Sequence, residues 1–562
     1  MRSISDRYYY VLYAVSCIVI LTQLSSSCTA QPLSRKGVFT QADSLRGSLN
    51  ANRSWWDVTH YAITVEADID NKTIRGKNIL SFTTLEGGKM MQIDLQEPMN
   101  LQSAVYGNRP LALKRSGNLY YIEFPESISK GSQVQLELNF YGKPTEAKNP
   151  PWDGGWIWQK DKNGHPWVSV ACQGLGASVW YPCKDHQSDE PDSASLTIIV
   201  PDHLSAVGNG KLRSKQAAGT GKTAYTWAVT NPINNYNIIP YIGRYANWEE
   251  TYPGENGPLN CSYYVLDYNL DKAKKQFEQV QPMLKCFEHW FGPYPFYEDG
   301  YKLVESPHLG MEHQSAVAYG NQFENGYLGR DLSGSGWGEK FDFILIHESG
   351  HEWFGNNITT NDIADMWIHE GFTNYSEALY VDCVFGKEAG SEYVIGTRKL
   401  IRNDLPIIGQ YGVNHEGSGD MYYKGGNLIH TIRHIIDDDE KFRFILRDMN
   451  KQFGKKSTDG AVLEAQISQH AGRDLSKVFD QYLRTTQIPT LEYVVGKDRI
   501  SFRWTNCIAG FDMPVKLHAG KSLFIYPTEE WKYITTSPGI SGSVRIDDNF
   551  YIHARQVKAA NK

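Results

Sequence analysis

The sequence contains no C-x-x-C pair, no internal repeat, no low-complexity tract and no excess of basic residues. Its eight cysteines are spread along 562 residues, which argues against thiolate zinc sites and dithiol redox motifs. The formal net charge of −7 gives no basic footprint, so we expect no nucleic-acid partner. After residue 30 no stretch is long and apolar enough to span a bilayer, and the mature chain is predicted to lack a transmembrane segment.

Six cysteines remain beyond the N-terminal signal described below. Because they are few and widely spaced, we expect isolated buried thiols rather than a disulfide framework. Cys172 and Cys183 are the first pair to examine for a bridge, and the sequence leaves that pairing open.

The N-terminus has the pattern of a secretory signal. Arg2 and Arg7 precede an apolar run, residues 8–21, and small or polar residues then lead to a cleavage site. We interpret residues 1–30 as a signal peptide and expect a secreted, periplasmic or cell-surface protein. A lipid anchor at Cys28, which follows three serines, is the alternative.

The rest of the chain divides by pattern into a linker and three domains. Residues 31–50 are polar and mixed, and we interpret them as the linker. Short alternating strands over 51–248 predict an antiparallel β domain, whereas helical periodicity dominates 249–486. Short strands return over 487–562 and predict a small β-sandwich. Together these segments indicate a multidomain α+β fold.

The pattern H-E-x-x-H lies at 347–351 in an apolar helical stretch, and Glu370 follows on a second predicted helix. Histidines four positions apart share a helix face, so the imidazoles of His347 and His351 can converge on one ion. With Glu370 they would supply three ligands and leave one open position, the arrangement of a catalytic zinc. The alternative, a chance match of two core histidines and a surface glutamate, does not explain the spacing of Glu370.

The ends of the two zinc helices can also be predicted. The first helix should stop near the Gly-Asn-Asn stretch at 355–357, and Asp362 or Asp365 should cap the second. A later helix, which runs to His470, is expected to begin with Thr458 as its N-cap.

A zinc ion in this position would lower the pKa of its bound water and polarise a carbonyl oxygen. Glu348, beside the histidines, can accept the proton of that water and pass it to a leaving amine. Glu377 lies about two turns after Glu370 on the same helix face. There it either accepts a hydrogen bond from a ligand imidazole or is an ordinary surface glutamate. These residues predict a hydrolase, most simply a peptidase.

Two further stretches flank the zinc pattern: Gly-Met-Glu-His at 310–313 and Tyr-Tyr-Lys-Gly-Gly at 422–426. In this order the motifs resemble those of the M1 family of zinc aminopeptidases, of the gluzincin type. The resemblance covers nearly the whole mature chain. It implies a saddle-like antiparallel N-terminal β domain, a thermolysin-like α/β catalytic domain and a C-terminal β-sandwich. It further implies a short, bacterial-type secreted member without the C-terminal helical domain of larger members.

The resemblance also implies roles for single residues. Glu312 matches the glutamate that grips the free α-amine of the substrate, and Gly310, Met311 and His313 complete that substrate-binding motif. Tyr422 matches the tyrosine that hydrogen-bonds the developing oxyanion.

Gln173 is similar to a family glutamine that lines the first substrate pocket, although an ordinary loop glutamine would look the same. Two residues depart from the family pattern, which has asparagine where this chain has His313 and His369. Because these changes border the motif residues, no side-chain preference is carried over from the family.

We therefore predict a zinc-dependent aminopeptidase that hydrolyses the N-terminal bond of peptides with a free N-terminus, using one zinc ion per chain. Three alternatives stay open: a zinc endopeptidase, an epoxide hydrolase of the leukotriene-hydrolase type, and a non-enzymatic peptide-binding surface protein. The intact zinc pattern argues against the last of these. No oligomeric state is predicted.

Overall fold

The computed structural model describes residues 39–535 and 544–558. The predicted signal peptide, residues 1–30, and its alternative, a lipid anchor at Cys28, lie outside the described residues. Within the described ranges, no helix is long and apolar enough to cross a membrane.

The N-terminal part of the described chain consists of strands that follow one short helix. These elements are α1 (Gln41–Gly47), β1 (Trp56–Asp68), β2 (Thr73–Thr84), β3 (Gly88–Asp94), β4 (Asn100–Tyr106), β5 (Arg109–Pro110), β6 (Ala112–Ser116), β7 (Leu119–Ile128), β8 (Gln133–Gly142), β9 (Gly155–Lys160), β10 (Pro166–Ala171), β11 (Ser193–Pro201), β12 (Ser205–Val207), β13 (Lys211–Ala217), β14 (Lys222–Val229) and β15 (Tyr241–Gly243).

An eight-stranded sheet dominates this part, in the order β13-β14-β11-β1-β2-β8-β4-β5. Along β1 most buried positions recur at every second residue, because successive side chains of a strand point to opposite faces. Two smaller sheets, β3-β7-β6 and β12-β15-β10-β9, lie beside it. The predicted β domain is confirmed with one exception to its antiparallel order, since β1 and β11 run parallel.

The interpretation of residues 31–50 as a linker is wrong for residues 41–47, which form α1. The hydroxyl of Thr40 accepts a hydrogen bond from the Asp43 amide, and the Asp43 carboxylate accepts one from the Thr40 amide. This reciprocal capping box stabilises a first helical turn that mixed polar composition does not reveal.

Helices dominate the next part of the chain, around a second sheet. Its elements are β16 (Tyr245–Gly254), β17 (Gly257–Leu266), α2 (Leu270–Gln276), α3 (Val280–Phe291), β18 (Tyr301–Glu305), β19 (Gly310–Met311), β20 (Val317–Tyr319), α4 (Phe343–Gly350), β21 (Ile358–Thr360), α5 (Trp367–Phe385), α6 (Lys387–Gly396), α7 (Tyr423–Ile436), α8 (Asp439–Phe453), β22 (Lys456–Thr458), α9 (Gly460–Ala471) and α10 (Ser476–Leu483).

The second sheet has the order β16-β17-β18-β20-β19, which places β19 at its edge. The domain boundary predicted at residue 248 falls inside β16, and β16 pairs with β17 along its whole length. We therefore propose that the boundary lies near Arg244, between β15 of the N-terminal part and β16.

Three predicted helix ends are wrong. Helix α4 already ends at Gly350, before residues 355–357. Asp362 caps a short 3-10 turn rather than α5, which starts without a side-chain cap. Thr458 is the last residue of β22, where it pairs with β21, and α9 follows it without a side-chain cap. For Thr458 a long-range strand pairing replaces the predicted cap, whereas Asp362 makes a local cap on the turn before α5.

The C-terminal strands form two small sheets, β27-β24-β23-β29 and β26-β25-β28, in agreement with the predicted sandwich. Their bounds are β23 (Thr490–Val495), β24 (Arg499–Thr505), β25 (Val515–Ala519), β26 (Lys521–Ile525), β27 (Lys532–Thr535), β28 (Arg545–Ile546) and β29 (His553–Gln556).

Two hydrophobic cores hold these parts together. One fills the N-terminal sheets, and the other runs from the helices of the middle part into the C-terminal strands. Trp367 and Phe479 on helices belong to the same core as Leu491 and Trp504 on strands. The C-terminal strands are therefore packed as an extension of the helical part.

The expectation of isolated thiols is wrong for one pair of cysteines. Cys286 on α3 and Cys383 on α5 form a disulfide across 97 residues of sequence. Cys172 and Cys183, the pair first considered, are separate buried thiols. The bridge ties together two helices of the catalytic part, one of which carries Glu370.

Candidate active site

Helices α4 and α5 bring the predicted zinc ligands together. His347 lies on the last turn of α4, His351 directly after it, and Glu370 on the first turn of α5. Glu370 Oε2 is 3.6 Å from His347 Nε2 and 3.4 Å from His351 Nε2. The three facing atoms lie within 4.8 Å of one another and all three side chains are buried.

The orientation of these side chains fits a zinc ion. Each histidine uses its Nδ1 for a protein contact, at 2.7 Å from Glu377 Oε1 for His347 and 3.0 Å from the Phe354 carbonyl for His351. Both Nε2 atoms therefore face Glu370, whose Oε2 is buried and has no hydrogen-bond partner. Two imidazole nitrogens and one carboxylate oxygen converging on a point are the donor set that zinc prefers.

Close helix crossings set this geometry. A Cβ atom on Gly350 would lie 2.5 Å from Ser376 Oγ, so α4 can approach α5 this closely only with glycine there. Gly371 and Gly425 face each other in the same way, since a Cβ on Gly425 would lie 3.0 Å from the Gly371 Cα. The second contact draws the start of α7 against α5, and thereby Tyr422 against Glu370.

Glu377 supports the ligand His347 from within the core. Its Oε1 also accepts a hydrogen bond from Asn374 at 3.1 Å, and its Oε2 accepts one from the Tyr393 hydroxyl at 2.7 Å. The carboxylate is fully buried. These contacts fix the imidazole ring of His347 and keep its Nδ1 protonated, which presents Nε2 to the ion.

Glu348 lies in the pocket beside the ligands. Burial raises the pKa of its carboxyl to about 7, although the neighbouring His347 and His351 oppose the shift. A Cβ on Gly310 would lie 2.6 Å from Glu348 Oε1. Gly310 therefore lets the edge strand β19 pass directly against this carboxylate.

Glu312 follows β19 and is also buried. Its Oε1 accepts hydrogen bonds from Gln173 Nε2 at 2.7 Å and from the Tyr236 hydroxyl at 2.9 Å. The Glu312 carbonyl accepts another from Asn356 Nδ2 at 2.8 Å. Burial raises the pKa of the Glu312 carboxyl, and His351 partly offsets that effect. A Glu312 oxygen lies within 4.8 Å of ligating atoms of Glu348 and His351.

Tyr422 stands at the start of α7, with its ring stacked on His347 at a centroid separation of 6.0 Å. Burial raises the pKa of its phenol well above the ordinary value, and the Glu370 carboxylate adds to the shift. The phenol is therefore a hydrogen-bond donor at neutral pH.

One pocket is lined by residues of both the N-terminal β part and the helical part. Its lining includes nearly all the predicted site residues, namely Gln173, Gly310, Met311, Glu312, His347, Glu348, His351, Glu370 and Tyr422. Trp152, Tyr327 and Phe343 add aromatic walls.

His313 and His369 are not among the residues that line the pocket. His313 is buried, and its Nδ1 lies 2.7 Å from the Tyr241 hydroxyl. His369 Nε2 accepts a hydrogen bond from the Thr360 amide at 3.0 Å. Both departures from the family pattern therefore pack behind the site, where they contact strands β15 and β21 rather than face the pocket.

Several residues around the site were not predicted from the sequence. Tyr236, Asn356 and Tyr393 hold Glu312 and Glu377 in place, and Trp152 forms a wall of the pocket. Trp152 stands in the Pro-, Gly- and Trp-rich loop before β9, and Asn356 in the Gly-Asn-Asn stretch that was expected only to end the first helix. Tyr236 and Tyr393 lie in segments without a distinctive local spacing.

The fold and the converging zinc-ligand set are typical of zinc metallopeptidases. A model of the peptidase M1 N-terminal domain matches residues 58–236, and one of the peptidase family M1 domain matches residues 275–482. The chain belongs to peptidase family M1.

Curated relatives match at low identity. Aminopeptidase B of Rattus norvegicus is 23% identical over 67% of this chain and 55% of its own length. Leukotriene A-4 hydrolase of Xenopus laevis is 21% identical over 72% of this chain and 66% of its own length. The chain thus spans less than two thirds of either relative.

Solved structures share the fold. The M1 zinc metallopeptidase of Deinococcus radiodurans superposes with a TM-score of 0.63 at 19% identity, covering 75% of this chain and 92% of the other. A mutant of that enzyme bound to a Tyr-Ser-Ala substrate gives 0.64 at 18% identity, covering 77% and 95%.

Replacing Glu377 with alanine should lower zinc affinity by about 10–100-fold, because His347 loses the group that orients its imidazole. Competition with a chromophoric chelator measures this affinity directly. Glu388→Ala, on an exposed position of α6, is the matched control and should bind zinc as the wild type does. Equal affinity in the two variants would exclude a role for Glu377 in holding the metal.

Proposed function

We propose that this protein is a zinc aminopeptidase that removes single residues from the N-termini of peptides. The observation that carries the proposal is the buried Glu312 carboxylate within 4.8 Å of atoms of Glu348 and His351. Gln173 and Tyr236 both donate to its Oε1, which leaves Oε2 for a third donor. The ammonium group of a free N-terminus is such a donor, and its charge suits a buried carboxylate.

The distance between anchor and reaction centre supports cleavage after one residue. A peptide whose α-amine is held by Glu312 has its first carbonyl next to Glu348 and the zinc ligands. Longer N-terminal extensions would have to displace the ammonium from Glu312. The name of two relatives, aminopeptidase B, supports removal of residues from the N-terminus.

The chain supplies acid–base and electrostatic groups around that carbonyl. Zinc bound by His347, His351 and Glu370 would acidify a water molecule and polarise the carbonyl. Glu348 accepts the proton from the attacking water and delivers it to the departing amine. Tyr422 donates its phenol hydrogen to the oxygen on which negative charge develops.

Aminoacyl anilides of varied side chain test the proposal directly. We expect hydrolysis of substrates with a free α-amine, none of their N-acetylated counterparts, and loss of activity on treatment with a chelator. Cleavage of the acetylated substrates would instead indicate an endopeptidase. Inactivity toward all peptides together with hydrolysis of a lipid epoxide would indicate the reaction named for the leukotriene A-4 hydrolase relative.

Glu348→Gln should abolish turnover and leave the zinc content unchanged, because the amide keeps the shape of the side chain but cannot accept the proton. Metal analysis beside the anilide assay separates the two properties. Appreciable residual activity at full zinc content would contradict the assignment of Glu348 as the general base.

Tyr422→Phe should lower kcat by roughly 10²–10³-fold with little change in KM, since it removes one donor to the developing oxyanion. Tyr252→Phe is a suitable control, because the Tyr252 hydroxyl bonds Glu288 and lies outside the pocket. A kcat equal to that of the control would remove Tyr422 from the chemistry.

A further inference from the structure

The residues before β1 pack onto two loops that border the pocket. We call residues 39–48 the N-terminal segment; it contains α1 and precedes the first family-model match, which starts at residue 58. Its contacts involve the loop that carries Gln173 and the loop that leads to Tyr422. Neither contact is part of the zinc site itself.

The first contact is made by Arg46. Its Nη2 donates to the Gly174 carbonyl at 3.0 Å and lies 3.6 Å from the Asp185 carboxylate. A Cβ on Gly176 would lie 2.0 Å from the same Nη2, so the guanidinium rests directly on this loop. Gly174 follows Gln173, and the hydrogen bond therefore fixes the backbone next to the residue that donates to Glu312.

The Gln173 loop is a tight turn that such a contact can hold in place. The Gly176 amide donates to the Cys172 carbonyl at 2.6 Å, and the Leu175 amide donates to the Gln173 carbonyl at 2.8 Å. These bonds close the turn within itself. In addition to the hydrogen bond from Arg46, the Gly174 carbonyl accepts a hydrogen bond from Asn414 Nδ2 at 3.4 Å.

The second contact is made by Gly47, against the loop 411–416. A Cβ on Gly47 would lie 2.2 Å from the Asn414 amide nitrogen, so the end of α1 lies backbone to backbone on this loop. The ring of Phe39 adds an edge contact with His415 at 5.2 Å between centroids. The chain continues from this loop to Tyr422, so the N-terminal segment contacts the two loops that lead to the pocket-lining residues Gln173 and Tyr422.

A buried arginine holds the N-terminal segment in this position. Arg53 is fully buried, and its Nη1 donates to the carbonyls of Leu45, Arg46 and Ser48 at 3.1, 2.7 and 3.1 Å. Its Nη2 pairs with Asp94 at 3.1 Å. Burying a guanidinium costs desolvation free energy, which the Asp94 carboxylate and the three carbonyls offset only in a specific geometry. This geometry fixes the end of α1 on the N-terminal sheets.

We propose that the N-terminal segment positions the substrate anchor, with Arg46 as its positioning residue. Arg46 holds the Gln173 loop so that Gln173 donates to Glu312 Oε1, and Glu312 then presents Oε2 to the substrate ammonium. This inference rests on the proposed aminopeptidase function. Loss of the Arg46 contact lets the Gln173 loop move, which weakens binding of the free N-terminus more than it slows the chemistry.

Arg46→Met removes the hydrogen bond and the charge but keeps an unbranched side chain similar to the aliphatic stem of arginine. We expect KM for aminoacyl anilides to rise about threefold to tenfold, with kcat and zinc content nearly unchanged. Arg447→Met is the matched control. Arg447 likewise donates to a backbone carbonyl, that of Glu288, and pairs with the Glu255 carboxylate, but it lies away from the pocket. An equal KM in the two variants overturns the inference.

A double-mutant cycle with Gln173→Ala tests whether Arg46 acts through Gln173. Residues that act on one contact are non-additive, so Arg46→Met should raise KM little further once Gln173 is alanine. Melting temperatures of all variants separate this coupling from general destabilisation. Independent, multiplicative effects on KM would show that Arg46 acts elsewhere and overturn the inference.

Hydrogen exchange at residues 172–176 tests the positioning without any activity. Arg46→Met should speed exchange there, and Arg447→Met should not. If Arg46→Met speeds exchange but the wild-type protein cleaves no substrate with a free N-terminus, the proposed function is refuted while the contact is supported. Unchanged exchange would overturn the inference even if the peptidase activity is as proposed.

Discussion

The crossing of α5 with α4 and α7 is the constraint on which the site depends. Glycines at the contact points, Gly350 on α4 and the pair Gly371 and Gly425, allow the helix backbones to approach more closely than larger residues permit. That approach brings side chains from three separate helices to one point. The zinc ligands, the phenol of Tyr422 and the buried support from Glu377 all follow from it.

The charge balance of the pocket follows from the same packing. Glu312, Glu348 and Glu370 are all buried, and buried carboxylates so close together repel one another unless cations or donors compensate them. A bound zinc ion would offset part of this charge, and hydrogen bonds from Gln173 and Tyr236 stabilise one oxygen of Glu312. The remaining negative potential favours a substrate that brings its own positive charge.

The pairing of His347 and His351 could be predicted from sequence, because residues four positions apart share one helix face. Glu370 joins them through the packing of α5 against α4. The contact of Tyr236 with Glu312 could not be predicted, since Tyr236 lies 76 residues away in a short 3-10 turn. The disulfide likewise depends on the packing of α3 on α5, which no cysteine spacing encodes. The helix in the supposed linker was in principle accessible, because Thr40 and Asp43 have the spacing of a capping box.

The hydrophobic core shared by the catalytic helices and the C-terminal strands has a consequence for modularity. His430 on α7 bonds the side chain of Asn549 at 2.9 Å, and the Tyr482 hydroxyl on α10 bonds the Tyr551 carbonyl at 2.5 Å. The C-terminal strands thus pack against the catalytic helices and share their core, so they are not an independent domain. The two should fold as one cooperative unit, and a chain shortened to residue 486 would expose the apolar faces of its own catalytic helices.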